Sequence, residues 1–147
     1  MERKASAVWQ GGLKNGVGKI TTNSGALKEA PYSFGTRFEN QGGTNPEELI
    51  AGAHAACFSM ALSAQLEASG FTPEKVSTVG TISIEKLEEG WTVTAIHLET
   101  NAVVPGLGKG AFDQIADDAK RNCPISRLLK APITLSARLN SEEKKAG

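Results

Sequence analysis

The residues with most chemistry to offer are two cysteines, an arginine and a glutamate. Cys57 lies inside NPEELIAGAHAACFSMAL (45–62), and Cys123 inside NCPIS (122–126). Taken alone, Cys57 fits an inert core position more readily than a reagent, because free cysteine is among the most buried residue types. Cys123 is different. Pro124 suits the first position of a helix, which sets Cys123 at an N-cap-like place where the helix dipole favours thiolate. One cysteine within a helix and one at a helix start suit peroxide chemistry: the first thiolate is oxidised to sulfenic acid and the second condenses with it to a disulfide. Such a pair needs a cation. Arg37, in a run read as a strand among Phe34, Gly35, Thr36 and Phe38, is the candidate, although an arginine between aromatics also lies naturally along a sheet surface. Glu47 can orient it through a bidentate carboxylate–guanidinium pair. In the first turn of a helix it also has the plainer role of complementing the dipole.

Other motifs fail on spacing. GGLKNGVGK resembles a phosphate loop, but the required first glycine falls on Leu13 and Lys19 is followed by Ile20, so a hairpin is expected. GLGKG (106–110) lacks the dinucleotide spacing and reads as a loop. AACFS lacks the glycines of a nucleophile elbow. His54 and Cys57 share a helical face, but two ligands are not a zinc site, and His97 and Cys123 are the remaining nitrogen and sulfur donors.

The elements that must position these groups can be read in outline. At 147 residues the chain is expected to form one domain with its own core. Its 16 Lys and Arg balance 16 Asp and Glu, so charge gives no case for nucleic acid or an acidic membrane as partner. No apolar leader and no uninterrupted apolar run of about 18 residues is readable, so the cytoplasm and no membrane are expected. Two cysteines are too few for a disulfide scaffold.

Residues 1–45 are expected to form a β-sheet and loop, with a hairpin signalled by Asn15-Gly16 and PYSFGTRF extending the sheet. A central helix is expected over 46–69, with Asn45 as N-cap, Glu48 at the capping-box position and Gly70 as the stop. Its many Ala, Gly and Ser residues imply close packing on more than one side. A β-hairpin follows over 76–104, turning around Glu89-Gly90. Helices over 110–130 place Phe112, Ile115, Ala116 and Ala119 on one face, with a break at Asn122-Cys123-Pro124. A half-buried strand covers 132–140, and the tail SEEKKAG is expected to fray. The order argues an α+β fold with an antiparallel-rich sheet and helices on one face.

Almost from end to end, through WQGG, TRFE, GTNPEELIAGAHAACFSMAL and NCPISRLLKAPITL, the sequence resembles the osmotically inducible protein C (OsmC) family of bacterial thiol peroxidases, sister to the organic hydroperoxide resistance proteins. CPIS departs from the more usual CPVS by one methylene. The resemblance implies reduction of organic hydroperoxides, and less readily of hydrogen peroxide, with no bound metal, haem or flavin. By motif match Cys57 is the peroxidatic thiol, Cys123 the resolving thiol, and Arg37 and Glu47 the activating pair, with an external dithiol reopening the disulfide. It further implies an intertwined homodimer with two long central helices packed together. The same cysteine pair would also serve a redox sensor or a binder of small hydrophobic ligands. Burial among alanines is expected to raise the Cys57 pKa. Ala53, Ala56, Phe58 and Met60, with the aromatic neighbours of Arg37, suggest an apolar substrate. Glu47 precedes Cys57 by ten residues, about 15 Å along a continuous helix, so an antiparallel partner helix is expected to supply the Glu47, with its Arg37, that serves Cys57.

Overall fold

The computed structural model describes residues 1–140; the tail expected to fray lies outside them. The chain clusters into two compact units, Met1–Leu49 and Ile50–Gly147. The α+β class stands, but the strands divide between two three-stranded sheets instead of sharing one.

In the first unit, β1 (Ala5–Gln10), β2 (Val17–Thr22) and β3 (Ala30–Tyr32) form an antiparallel sheet in that order. The expected hairpin is present, but its loop is wider than an Asn-Gly turn, because the last pair is Gln10 with Val17. Trp9, Gly18 and Tyr32 lie in one row across the three strands. A side chain at 18 would stand 2.4 Å from the Tyr32 ring and 2.8 Å from Trp9, so glycine is what lets the two rings meet, centroids 5.5 Å apart.

The third strand stops at Tyr32, and the segment expected to extend it is a short helix, α1 (Phe34–Phe38), which carries Arg37. Capping decides this. The Ser33 side chain accepts from the Thr36 N–H at 3.2 Å and the Ser33 N–H donates to Thr36 Oγ1 at 2.8 Å, a reciprocal box that satisfies two backbone groups at a helix start. The aromatic residues suggested a strand, and these local bonds override them.

The long helix α2 (Pro46–Ala68) begins as expected, with the Glu48 N–H donating to Asn45 Oδ1 at 2.8 Å. The Glu48 side chain meets the Asn45 side-chain nitrogen at 3.4 Å and not the N-cap backbone of a full capping box. It ends at Gly70, whose φ of 89° suits glycine after a helix.

In the second unit, β4 (Lys75–Leu87) and β5 (Gly90–Val103) make a long antiparallel hairpin that turns through Glu88 and Glu89. β6 (Ile133–Leu139) joins β5 in parallel. Helices α3 (Lys109–Asn122) and α4 (Pro124–Leu128) form the crossover such pairing requires. The core gathers Phe58, Leu62 and Leu66 of α2 with Leu98 and Ala102 of β5 and Phe112, Ala116 and Ala119 of α3. Cys123 continues that α3 stripe, which explains why it is fully buried.

On α2, only His54, Phe58, Leu62 and Leu66 are buried. Ala53, Ala56, Met60 and Ala64 follow another line of the same helix and are exposed, Met60 by 75 %. By length and composition alone α2 is apolar enough to cross a membrane, where no span was expected. The core helix of a soluble protein meets the same test, but only 22 % of this helix's apolar window is buried.

Candidate active site

Within the second unit, α2 delivers Cys57 half-buried, and the α3–α4 junction delivers Cys123 with no exposed surface; both thiols are free. The break falls where the sequence places it. Asn122 ends α3, Cys123 serves as the joint, and Pro124 opens α4. The Cys57 thiol interacts with the Cys123 thiol and with the Ile125 N–H. Burial pushes the Cys57 thiol above its ordinary pKa, as expected. Its interaction with the Cys123 thiol adds to that rise, and the Ile125 N–H acts against it.

One turn before Cys57, His54 is fully buried with Nε2 at 2.7 Å from Ser126 Oγ. Among the described residues its Nδ1 has no partner, and burial lowers its pKa, so the ring is neutral near pH 7. The sequence suggested His54 only as a metal ligand. Among the described residues, no group of three His, Cys, Asp or Glu side chains comes together to hold a metal ion. Ser126 went unread, although CPIS places a hydroxyl one helical turn beyond Cys123.

Within the first unit, Arg37 and Glu47 form the expected fork. Arg37 Nη2 donates to Glu47 Oε1 at 2.6 Å, and Nε lies 3.2 Å from each carboxylate oxygen. The Glu47 side chain is only 14 % exposed and that of Arg37 38 %, so the pair is better sheltered than a typical surface bridge. Asn45, the cap of α2, also donates to the Thr36 carbonyl of α1 at 3.3 Å, which fixes the two helix starts that carry Arg37 and Glu47. The Arg37 guanidinium stands 5.2 Å from the centre of the Phe38 ring, and Phe38 packs on Phe34 with centroids 5.0 Å apart.

A cavity of about 280 Å³ opens beside this cation, lined by Trp9, Leu13, Tyr32, Phe34 and Phe38 as well as Arg37. The aromatic neighbours of Arg37 thus form an apolar lining. Phe58, expected to contribute to one, is instead turned fully into the core. The sequence pairs Cys57 with Cys123 and Arg37 with Glu47, and each pair is assembled, the first in Ile50–Gly147 and the second in Met1–Leu49.

Comparison with known proteins bears on this arrangement. Residues 39–138 match the family described as OsmC-like protein. The chain is 48 % identical over 141 residues to peroxiredoxin OsmC of Escherichia coli (strain K12), covering 96 % of this chain and 99 % of that one. It is 32 % identical over 98 residues to the organic hydroperoxide resistance protein of Xanthomonas axonopodis pv. citri (strain 306), covering 66 % and 67 %. The crystal structure of an OsmC-like protein from Mycoplasma pneumoniae superposes with a TM-score of 0.75 over 95 % of this chain and 97 % of that one, at 15 % identity.

Proposed function

The chain belongs to the OsmC-like protein family, and from that premise we propose that it is a thiol peroxidase that reduces organic hydroperoxides to alcohols. The observation that supports this most directly is the contact between a half-buried Cys57 and a fully buried Cys123, which gives an attacking thiol with a second thiol already beside it. The Cys57 thiolate attacks the terminal peroxide oxygen, the O–O bond breaks, and the alkoxide takes a proton and leaves as alcohol. Cys57 is left as sulfenic acid. Cys123 closes the disulfide with loss of water, and an external dithiol reopens it.

A raised Cys57 pKa works against the first step near neutral pH, so a cation must hold the thiolate and polarise the peroxide. We assign that role to Arg37, held by Glu47. α2 is unbroken from Pro46 to Ala68, and this supports the expectation that the partner subunit's Arg37 and the partner subunit's Glu47 serve each Cys57 in a homodimer. The open line of Ala53, Ala56 and Ala64 supports the same assembly, since small residues let a second helix approach closely, and the exposed Met60 beside them is apolar surface for it to cover. A reducing compartment such as the cytoplasm suits a disulfide that must be reopened at every turnover.

Turnover tests the proposal. With a dithiol present, the protein should consume many equivalents of an alkyl or aryl hydroperoxide; a redox sensor would stop after one. The aromatic cavity beside Arg37 supports an apolar substrate. Burying a few CH₂ groups at about 0.8 kcal/mol each should raise kcat/KM over that for hydrogen peroxide by roughly one to two orders of magnitude. Equal values for the two substrates would remove any hydrophobic contribution.

A further inference from the structure

The first turn of α4 meets α2 through three groups. The Cys123 thiol and the Ile125 N–H both meet Cys57, and Ser126 Oγ meets His54 Nε2 at 2.7 Å. His54 lies three residues before Cys57 and Ser126 three residues after Cys123, so this bond stands about one helical turn from the thiols on both helices. It is sealed from water, with His54 fully buried and Ser126 9 % exposed.

Packing alone does not explain histidine at 54. The position opens the buried line continued by Phe58, Leu62 and Leu66, where a leucine would fill the space without stranding a polar atom. The histidine leaves Nδ1 buried without a partner among the described residues, which costs stability. What the ring supplies in return is the bond to Ser126. α4 needs such a tie, because it is only five residues long and too short to hold its own shape. A disulfide also demands closely defined Cα and Cβ separations.

We propose that His54 and Ser126 are positioning residues whose hydrogen bond holds the start of α4 against α2, so that Cys123 stays within reach of the Cys57 sulfenic acid. The inference rests on the peroxidase reading and concerns its second step. There the Cys123 sulfur forms the S–S bond as the Cys57 S–O bond breaks. The leaving hydroxide combines with the Cys123 proton as water; Cys57 is reduced and Cys123 oxidised. The bond is made while both thiols are free, and the proposed positioning requires that it hold in the disulfide too; its loss then lowers the effective concentration of the resolving thiol and leaves the attacking thiol in place.

The test compares Ser126→Ala, His54→Leu, the double variant, and His54→Gln, which keeps a nitrogen near the place of Nε2. Thermal unfolding checks that each is folded, and Ser126→Ala is the mildest change. After one equivalent of an aryl hydroperoxide, thiol blocking and intact mass follow Cys57 oxidation and disulfide closure separately. Cys57 oxidation should stay within about twofold of the parent, while closure slows by about tenfold in Ser126→Ala and His54→Leu, the scale of one lost hydrogen bond. A 1,3-diketone should then trap the longer-lived sulfenic acid. His54→Gln should close faster than His54→Leu, and the double variant should be no slower than either single one. Closure at the parental rate in Ser126→Ala, or equal slowing of both steps, would overturn the proposal. A second measurement needs no peroxide. In dithiol–disulfide buffers, Ser126→Ala should shift the cysteine pair about tenfold towards the dithiol. An unchanged or opposite shift overturns the tie between α4 and α2, whereas the expected shift in Ser126→Ala beside a parent that ignores hydroperoxide overturns only the peroxidase reading.

Discussion

Cys57 and Cys123 touch, yet they differ in exposure, and that difference assigns separate consequences to their loss. Cys57→Ser should end hydroperoxide consumption, because no attacking sulfur remains. Cys123→Ser should accept the first oxidation and then stall as sulfenic acid, open to further oxidation, which intact mass reads after one equivalent of peroxide. Normal turnover by Cys57→Ser would remove the assignment. The raised pKa of Cys57, caused first by burial and then by Cys123, also has a thermodynamic sign. The folded chain holds that proton more tightly than the unfolded chain. The resulting stability is fully present below the unfolded value and disappears as pH rises through the raised folded value. The denaturant midpoint of the reduced protein should therefore fall on the alkaline side, and Cys57→Ser should lessen the fall; an undiminished fall would contradict the burial effect. These residues were legible to different degrees. The NCP break announced the place of Cys123, and one cysteine within a helix beside one at a helix start suggested the pair, whereas the attacking role of Cys57 and the resolving role of Cys123 came from family resemblance. The His54–Ser126 bond was not legible, because it joins distant segments and neither residue carries a pattern that names the other.

At the scale of elements, α1 offers the sharper lesson. PYSFGTRF has the aromatic content of a strand, and Ser33 and Thr36 turn it into a helix through two short-range bonds. The S-x-x-T spacing was present to be read, but tertiary and capping effects outweigh β-propensity in so short a run. Arg37 and Glu47 were right as a pair although Arg37 was placed on the wrong kind of element, since α1 and the start of α2 present the two side chains to each other. Replacing Ser33 and Thr36 together by Ala should cost about 1–2 kcal/mol in denaturant unfolding. It should also lower kcat/KM, as Arg37 loses its mounting. Arg37→Lys should recover little of the activity lost in Arg37→Ala, because an ammonium cannot reproduce the fork on Glu47. Full activity in Arg37→Lys would show that charge alone suffices. The parallel pairing of β6 was beyond the sequence pattern, which reports which face of a strand is apolar and not its neighbour's direction.

For the whole molecule, the shared-site proposal makes a prediction that a single chain cannot meet. Mixed dimers of Cys57→Ser and Arg37→Ala chains, each inactive alone, should regain one working site of two. If subunit exchange is demonstrated and no activity returns, Arg37 acts within its own chain. Met60→Glu, on the open line of α2, should shift sedimentation towards the monomer and lower activity with it; an unchanged dimer would place the interface elsewhere. The small residues of α2 made close packing legible, but composition could not say which side another copy covers. The same helix has a further consequence during synthesis. α2 emerges from the ribosome before β5 and α3, which supply Leu98, Ala102, Phe112 and Ala116 to cover its buried line. Until they follow, the nascent chain displays an apolar helix long enough to pass for a membrane segment. Chains arrested after β4 should therefore engage chaperones or insertion machinery that chains arrested after β6 do not.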